Sequence, residues 1–155
     1  VSNFQPLAIG RTTFLPGEKG VVELPIGSLT GYQPVTMSVH VRRGRKPGPT
    51  LLLTAGIHGD ELIGVEILRH ILQSKVLQNL KGNLIVVPVV CMPAFLNRSR
   101  YLPDRRDLNR LFPGSAEGSL GSRLANTFIQ DVVSLCTHSI DFHGGSVGRP
   151  NLPQI

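Results

Sequence analysis

Apolar and polar residues alternate with a period of two in two early stretches, Gly20-Val21-Val22-Glu23-Leu24-Pro25 and Val35-Thr36-Met37-Ser38-Val39-His40-Val41. A strand of this kind packs one face and wets the other, so residues 1–47 are expected to form β-rich, antiparallel edge strands of the domain. From Thr50 the pattern changes. Leu51-Leu52-Leu53-Thr54 is a short apolar run, Asp60 to Gln73 carries Ile63, Ile67 and Ile71 at helical spacing, and Leu84 to Val90 is a second apolar run. Strand, helix, strand is the order of a crossover unit, and it predicts an α/β fold with a mixed, largely parallel sheet flanked by helices.

A polar, Arg-rich connection follows from Cys91 to about Gly118, interrupted by Pro93, Pro103 and Pro113. A connection of that length without regular structure is expected to be functional or disordered. A second helix is expected over Ser119 to Leu135, then a short strand near Ser139 to Phe142 that runs into His143-Gly144-Gly145. The division that results is an edge-strand region, 1–47, and an α/β core, 48–155.

The chemistry concentrates where strands end. His58-Gly59-Asp60-Glu61 stands directly after the apolar run Leu51 to Ile57, and His143 stands directly after the last predicted strand. Open α/β sheets bind ligands outside the carboxyl ends of their strands, so residues 85 apart in sequence can meet there. Together His58, Glu61 and His143 supply two imidazoles and one carboxylate, the ligand set of a catalytic zinc with a fourth position left open. Zinc lowers the pKa of bound water to about 7 and polarises a carbonyl, which suits hydrolysis. Gly59 permits tight backbone geometry between loop and helix. Asp60 is expected either to initiate the helix or, like Asp141, to orient a ligand. His40, His70 and His138 have no partner pattern and read as structural or solvent-facing.

The loop between the two halves contains Arg100-Tyr101-Leu102-Pro103-Asp104-Arg105-Arg106-Asp107-Leu108-Asn109-Arg110. A guanidinium pairs bidentately with a carboxylate and Asn adds a neutral donor and acceptor, so Asn109 and Arg110 are suited to gripping a substrate carboxylate. With zinc and two arginines against Glu61, the pocket is expected to be strongly positive and to select an anion.

The net charge of +6 admits a nucleic-acid partner as well as an anionic small substrate. No aromatic residue interleaves with Arg42-Arg43-Gly44-Arg45-Lys46 as a base-stacking surface would require, so nucleic acid is not expected and residues 42–46 read as a solvated turn before Pro47-Gly48-Pro49. No apolar run reaches the ~18 residues needed to span a bilayer, and no basic segment precedes a long apolar one at the start. Cys91 and Cys136 are not closely spaced and read as two buried thiols in a reducing compartment, with a cytoplasmic location expected. Oligomeric state is not legible.

His58-Gly59-Asp60-Glu61, Asp107-Leu108-Asn109-Arg110 and Asp141-Phe142-His143-Gly144, with Pro47-Gly48-Pro49-Thr50 before the first and Phe112-Pro113-Gly114 after the second, occur together and in this order. On these residues the chain resembles the succinylglutamate desuccinylase/aspartoacylase family, relatives of the zinc carboxypeptidases, over most of residues 47–145. The resemblance implies a zinc carboxypeptidase-like fold and one Zn2+ per chain held by His58, Glu61 and His143. It also implies that Asn109 and Arg110 bind the substrate carboxylate and that Arg100 polarises the scissile carbonyl, with Arg98 two residues away as the competing match. The implied activity is removal of an acyl group from an N-acyl amino acid or similar small anionic amide. A peptide-cleaving metallocarboxypeptidase, or a zinc-binding but catalytically silent fragment, would use the same residues. The family's general base is a glutamate well downstream of the last ligand, and none of the ten acidic residues here matches it. Residues 1–155 are therefore expected to be the amino-terminal part of a larger enzyme, truncated before that base and inactive alone.

Overall fold

The computed structural model describes residues 6–28, 31–146 and 149–155. Its centre is a five-stranded mixed sheet built from β3 (Lys19–Ser28), β4 (Pro34–Arg43), β5 (Lys46–Ala55), β6 (Lys81–Val87) and β7 (His138–Phe142), in the spatial order β3-β4-β6-β5-β7. The first three strands in that order pair antiparallel, and β5 pairs parallel with both β6 and β7. A separate antiparallel pair, β1 (Leu7–Ile9) with β2 (Thr12–Phe14), packs its Leu7, Ile9 and Phe14 into the core. Helix α1 (Leu62–Gln73) connects β5 to β6, and α2 (Met92–Leu96) and α3 (Leu120–Asp131) lie between β6 and β7.

The burial pattern explains the two kinds of strand. Inner positions of β3 and β4 alternate with exposed or half-exposed ones, as the period-two pattern requires, whereas β6 is buried from Gly82 to Val87 on both faces. Neighbouring residues of β5 and β6 point into different cores. Leu52, Ile85 and Val87 join β3, β4 and α3, while Leu53, Leu84 and Val86 join Leu68 of α1. The sheet is thus covered on both faces at β5 and β6. Gly64 allows α1 to come close, because a β-carbon there would lie 2.7 Å from Cβ of Phe142 and 3.0 Å from Cβ of Ala55.

Four sequence expectations change. Pro47-Gly48-Pro49 is not a turn but the irregular start of β5, where the register with β6 shifts between Lys46 and Thr50, a position where a strand tolerates proline. Arg43 is not part of a solvated turn. It is 4% exposed and Nη1 donates to the Phe14 carbonyl at 2.6 Å, because it lies at an inward position of β4. Helix α1 begins at Leu62 rather than Asp60 and buries Gly64 and Leu68, leaving Ile63 and Ile67 exposed. The connection from Cys91 to Gly118 is ordered: it holds α2, a 3-10 turn at Leu108–Arg110, and the buried Leu102 and Leu108. Cys91 is buried and Cys136 half-buried, both free, and burial pushes each thiol up to about 11. Among the described residues no helix is long and apolar enough to cross a membrane.

Candidate metal centre

Ala55 at the end of β5 sits opposite Phe142 at the end of β7, so this parallel pairing delivers the loops that follow both strands to one edge of the sheet. The His58 and His143 rings meet there with centroids 5.2 Å apart. Glu61 lies between them: Oε1 is 2.7 Å from His58 Nδ1, and Oε2 is 3.0 Å from His143 Nδ1 and accepts from the Gly144 amide at 2.8 Å. One ligand atom from each of the three residues lies within 4.8 Å of the others. His58 and Glu61 are buried, and the His143 side chain is 37% exposed.

This use of Glu61 explains where α1 starts. Glu61 is the N-cap residue but makes no capping bond with its side chain, because both carboxylate oxygens face the histidines. The N-cap position belongs to Glu61 rather than Asp60, whose Oδ2 accepts from Ser146 Oγ at 2.7 Å. Gly59 has no room for a side chain, since a β-carbon would overlap the Ala94 carbonyl, and its amide donates to the Ser99 carbonyl at 2.9 Å. The ligand loop is therefore seated on the segment that begins the Arg-rich connection.

The far nitrogen of each ring is also engaged. His58 Nε2 is 3.2 Å from Asp107 Oδ1, and His143 Nε2 is 2.7 Å from Asp141 Oδ2. Thr54 Oγ1 in turn donates to Asp141 Oδ1 at 2.7 Å, from the β5 position paired with Asp141. Asp141 thus bonds to the His143 ring, while the contacts of Asp107 and Thr54 are new. Each had a faint signal: an Asp two residues before Asn-Arg is placed to cap a turn, and Thr54 is a hydroxyl at the end of an otherwise apolar run. Asp107 accepts from the Asn109 amide at 2.9 Å and from Arg100 Nη2 at 3.0 Å. Burial alone would raise its pKa, but the Asn109 amide, the Arg100 guanidinium and the nearby His58 together hold it below the usual carboxylate range. His143 moves the other way: the Asp141 hydrogen bond raises its pKa, burial opposes this, and the charges of Asp141 and Glu61 add to the rise.

Both imidazoles therefore face carboxylate oxygens through both nitrogens. Two acceptors cannot share a contact without a proton or a cation between them, so the arrangement calls either for two imidazolium rings or for a cation at the Nδ1 positions. A buried imidazolium is costly, and a metal at Nδ1 with Nε2–H donated to a carboxylate is the usual resolution. The charge balance agrees. Glu61, Asp107 and Asp141 stand against Arg100 alone, and the two negative charges left over suit a divalent cation. The donor set fits zinc.

The same charges correct the expected strongly positive pocket, which omitted Asp107 and Asp141. Arg100 does reach the site, with Nη1 3.8 Å from Glu61 Oε1, whereas Arg98 is exposed at φ +46°. Asn109 and Arg110 are exposed on the turn that Asp107 caps, anchored by the buried Leu108 between Asp107 and Asn109. His40, His70 and His138 lie elsewhere: on β4, beside Glu66 at 3.0 Å, and beside Thr137 at 2.9 Å.

Comparison with known proteins gives a consistent result. A profile of the succinylglutamate desuccinylase/aspartoacylase catalytic domain matches residues 47–155. The N-alpha-acetyl-L-2,4-diaminobutyric acid deacetylase of Halomonas elongata is 35% identical over 132 residues, covering 83% of this chain and 38% of that protein. A succinylglutamate desuccinylase of Pseudomonas syringae is 34% identical over 87 residues. Among solved structures, a succinylglutamate desuccinylase/aspartoacylase from Rhodobacter sphaeroides superposes with a TM-score of 0.75 at 30% identity, over 83% of this chain and 40% of that one. The product-bound ectoine utilization protein EutE (DoeB) of Ruegeria pomeroyi superposes with a TM-score of 0.73 at 32% identity, over 84% and 42%. The chain thus spans about two fifths of the length of these relatives. By its residues, its fold and these matches, the chain belongs to the succinylglutamate desuccinylase/aspartoacylase family.

Proposed function

We propose that this chain is the metal-binding part of a zinc-dependent hydrolase that removes an acyl group from an N-acyl amino acid or a similar small anionic amide. The observation that carries this reading is the convergence of His58 Nδ1 and His143 Nδ1 on the two oxygens of Glu61, with a carboxylate behind each ring. When bound, zinc would supply a Lewis acid and lower the pKa of water to about 7. Asp107 and Asp141 hold the two rings with Nδ1 turned inward, and Gly144 N–H fixes one oxygen of Glu61. Arg100, beside Glu61, is placed to stabilise negative charge on a carbonyl oxygen presented at the ligand set. Asn109 and Arg110 would grip the substrate carboxylate from the exposed turn.

Among the described residues near the ligands, Asp60, Asp107 and Asp141 are each bonded to another side chain, so none is poised to carry a proton to a leaving amine. We infer that the proton-transfer group lies outside residues 1–155 and that residues 48–155 form an incomplete catalytic core. The names of the relatives direct the substrate test to acetyl and succinyl amides of amino acids. The full-length protein should hold one zinc per chain and hydrolyse N-acetyl-diaminobutyrate or N-succinylglutamate in preference to short peptides. His58→Ala should remove both metal and activity; retention of either refutes the reading. Residues 1–155 alone should bind zinc but turn over ~100- to 10,000-fold more slowly.

A further inference from the structure

At the opposite end of the sheet from His58 and His143, β4 finishes, β5 and β6 begin, and a cavity of about 410 Å3 opens between them. Six cationic residues line it; Arg43 is buried and donates to the Phe14 carbonyl, and the other five are Lys19, Arg42, Arg45, Lys46 and Lys81. Two pairs of these are direct cross-strand neighbours, Lys19 opposite Arg42 and Lys46 opposite Lys81. Like charges directly opposite each other destabilise a sheet. Among the described residues none of the five is paired with a carboxylate; Arg42 donates to the Leu72 carbonyl at 3.0 Å. Glu18 is the one acidic residue in the lining, and it accepts from the Leu15 amide at 2.6 Å. The side-chain amides of Gln78 and Asn79 add neutral donors to the same wall.

We propose that this cavity is a second binding site, for a small anion that carries two or more phosphoryl groups. The site is separate from the metal centre, since β5 runs ten residues from Lys46 to Ala55, roughly 30 Å, between them. The volume suits a small ligand. Among the described residues the wall contains no aromatic side chain on which a base could stack, which argues against a nucleic-acid strand. A multiply charged anion would bridge the two like-charged pairs and turn their repulsion into attraction.

The test uses the full-length protein, treated with chelator so that no zinc is available to complex the probe, at an ionic strength of about 0.15 M. Tripolyphosphate should bind by calorimetry and raise the thermal midpoint. Lys46→Ala and Lys81→Ala should each weaken binding by at least about tenfold, and Arg110→Ala, at the other end of the sheet, should leave it unchanged. Lys81→Glu provides a signature that a purely structural role would not: at low salt and without anion its midpoint should rise, because Lys46 gains an opposite charge, while tripolyphosphate binding is lost. The proposal is overturned if sodium chloride of equal ionic strength reproduces the stabilisation, or if Arg110→Ala abolishes binding while the lysine variants retain it. It is also overturned if an oligouridylate or phosphatidylserine vesicles bind where tripolyphosphate does not.

Discussion

The two histidines of the candidate metal centre face Glu61 from different surroundings. His58 is 2% exposed, follows a central strand, and is backed by Asp107, which is itself tied to Arg100 and the turn at Leu108. His143 is over a third exposed, follows the end strand of the described sheet, and is backed by Asp141 and Thr54. One ligand belongs to the core and the other to an edge. The difference implies that the His58 half is held by the fold whether or not metal is present, while the His143 half depends more on the ion.

The largest effects come from removing a ring. His58→Ala and His143→Ala should both abolish stoichiometric metal binding, but metal-free proteins should separate them. Loss of His58 leaves the buried Glu61 and the half-buried Asp107 without their shared partner and should lower unfolding free energy by about 1–3 kcal/mol. Loss of His143 should cost less than about 1 kcal/mol, since its ring and Asp141 are each about a third exposed. Equal costs in urea unfolding of the two metal-free variants would erase the distinction between core and edge.

Next come the carboxylates behind the rings. Asp107→Asn and Asp141→Asn should each weaken zinc affinity ~10- to 100-fold in competition with a chromogenic chelator. Only Asp107→Asn also releases Arg100, so it alone should lower kcat beyond what metal loss explains once zinc is saturating. A matching kcat loss in Asp141→Asn would deny Arg100 its proposed role.

The pH dependence is smaller and has a definite sign. The pKa of His143 is raised in the folded, metal-free protein, so its contribution to stability is complete below its unfolded value and is lost as pH rises through the raised one. Asp107 contributes oppositely: its pKa is lowered, so its share is present above the unfolded carboxylate value and disappears as pH falls through the folded one. Zinc must displace the His143 proton, so its affinity should increase with pH across the window in which metal-free stability falls. Calorimetry in buffers of different ionisation enthalpy would detect the released proton, and its absence would mean that His143 is not a ligand. Smallest of all, Thr54→Val removes one hydrogen bond to Asp141 and should cost about 0.5–1.5 kcal/mol, with a modest loss of zinc affinity.

The same contrast shows what a sequence can reveal. The strand ends and the meeting of His58, Glu61 and His143 beyond them were legible, because Leu51–Thr54 and the run into His143 are local patterns and the crossover rule places their carboxyl ends on one edge. The second helix was legible as a segment beginning at Ser119, and in the fold that residue caps it by accepting from the Ser122 amide. What could not be read depended on contacts between distant segments. Ile63 and Ile67 have helical spacing yet face outward, because Gly64 and Leu68 form the face that meets the sheet. Arg43 looks like one more charge in a basic run until the carbonyl of Phe14 is placed against it. Asp107 sat in a recognised motif, but its role is apparent only when His58, 49 residues earlier, is beside it.

Glu61 and His143 are 82 residues apart in the chain, and in the fold a single ion would join them. Closing a loop of that size costs the unfolded chain entropy that grows only slowly with length, so an ion bound there would act as a removable cross-link as well as a reagent. It would clasp β7 to β5 at one end, just where the strand leaves the sheet. Stripping the metal should therefore loosen His138–Phe142 before it loosens the buried strand β6, an order that amide hydrogen exchange can follow residue by residue.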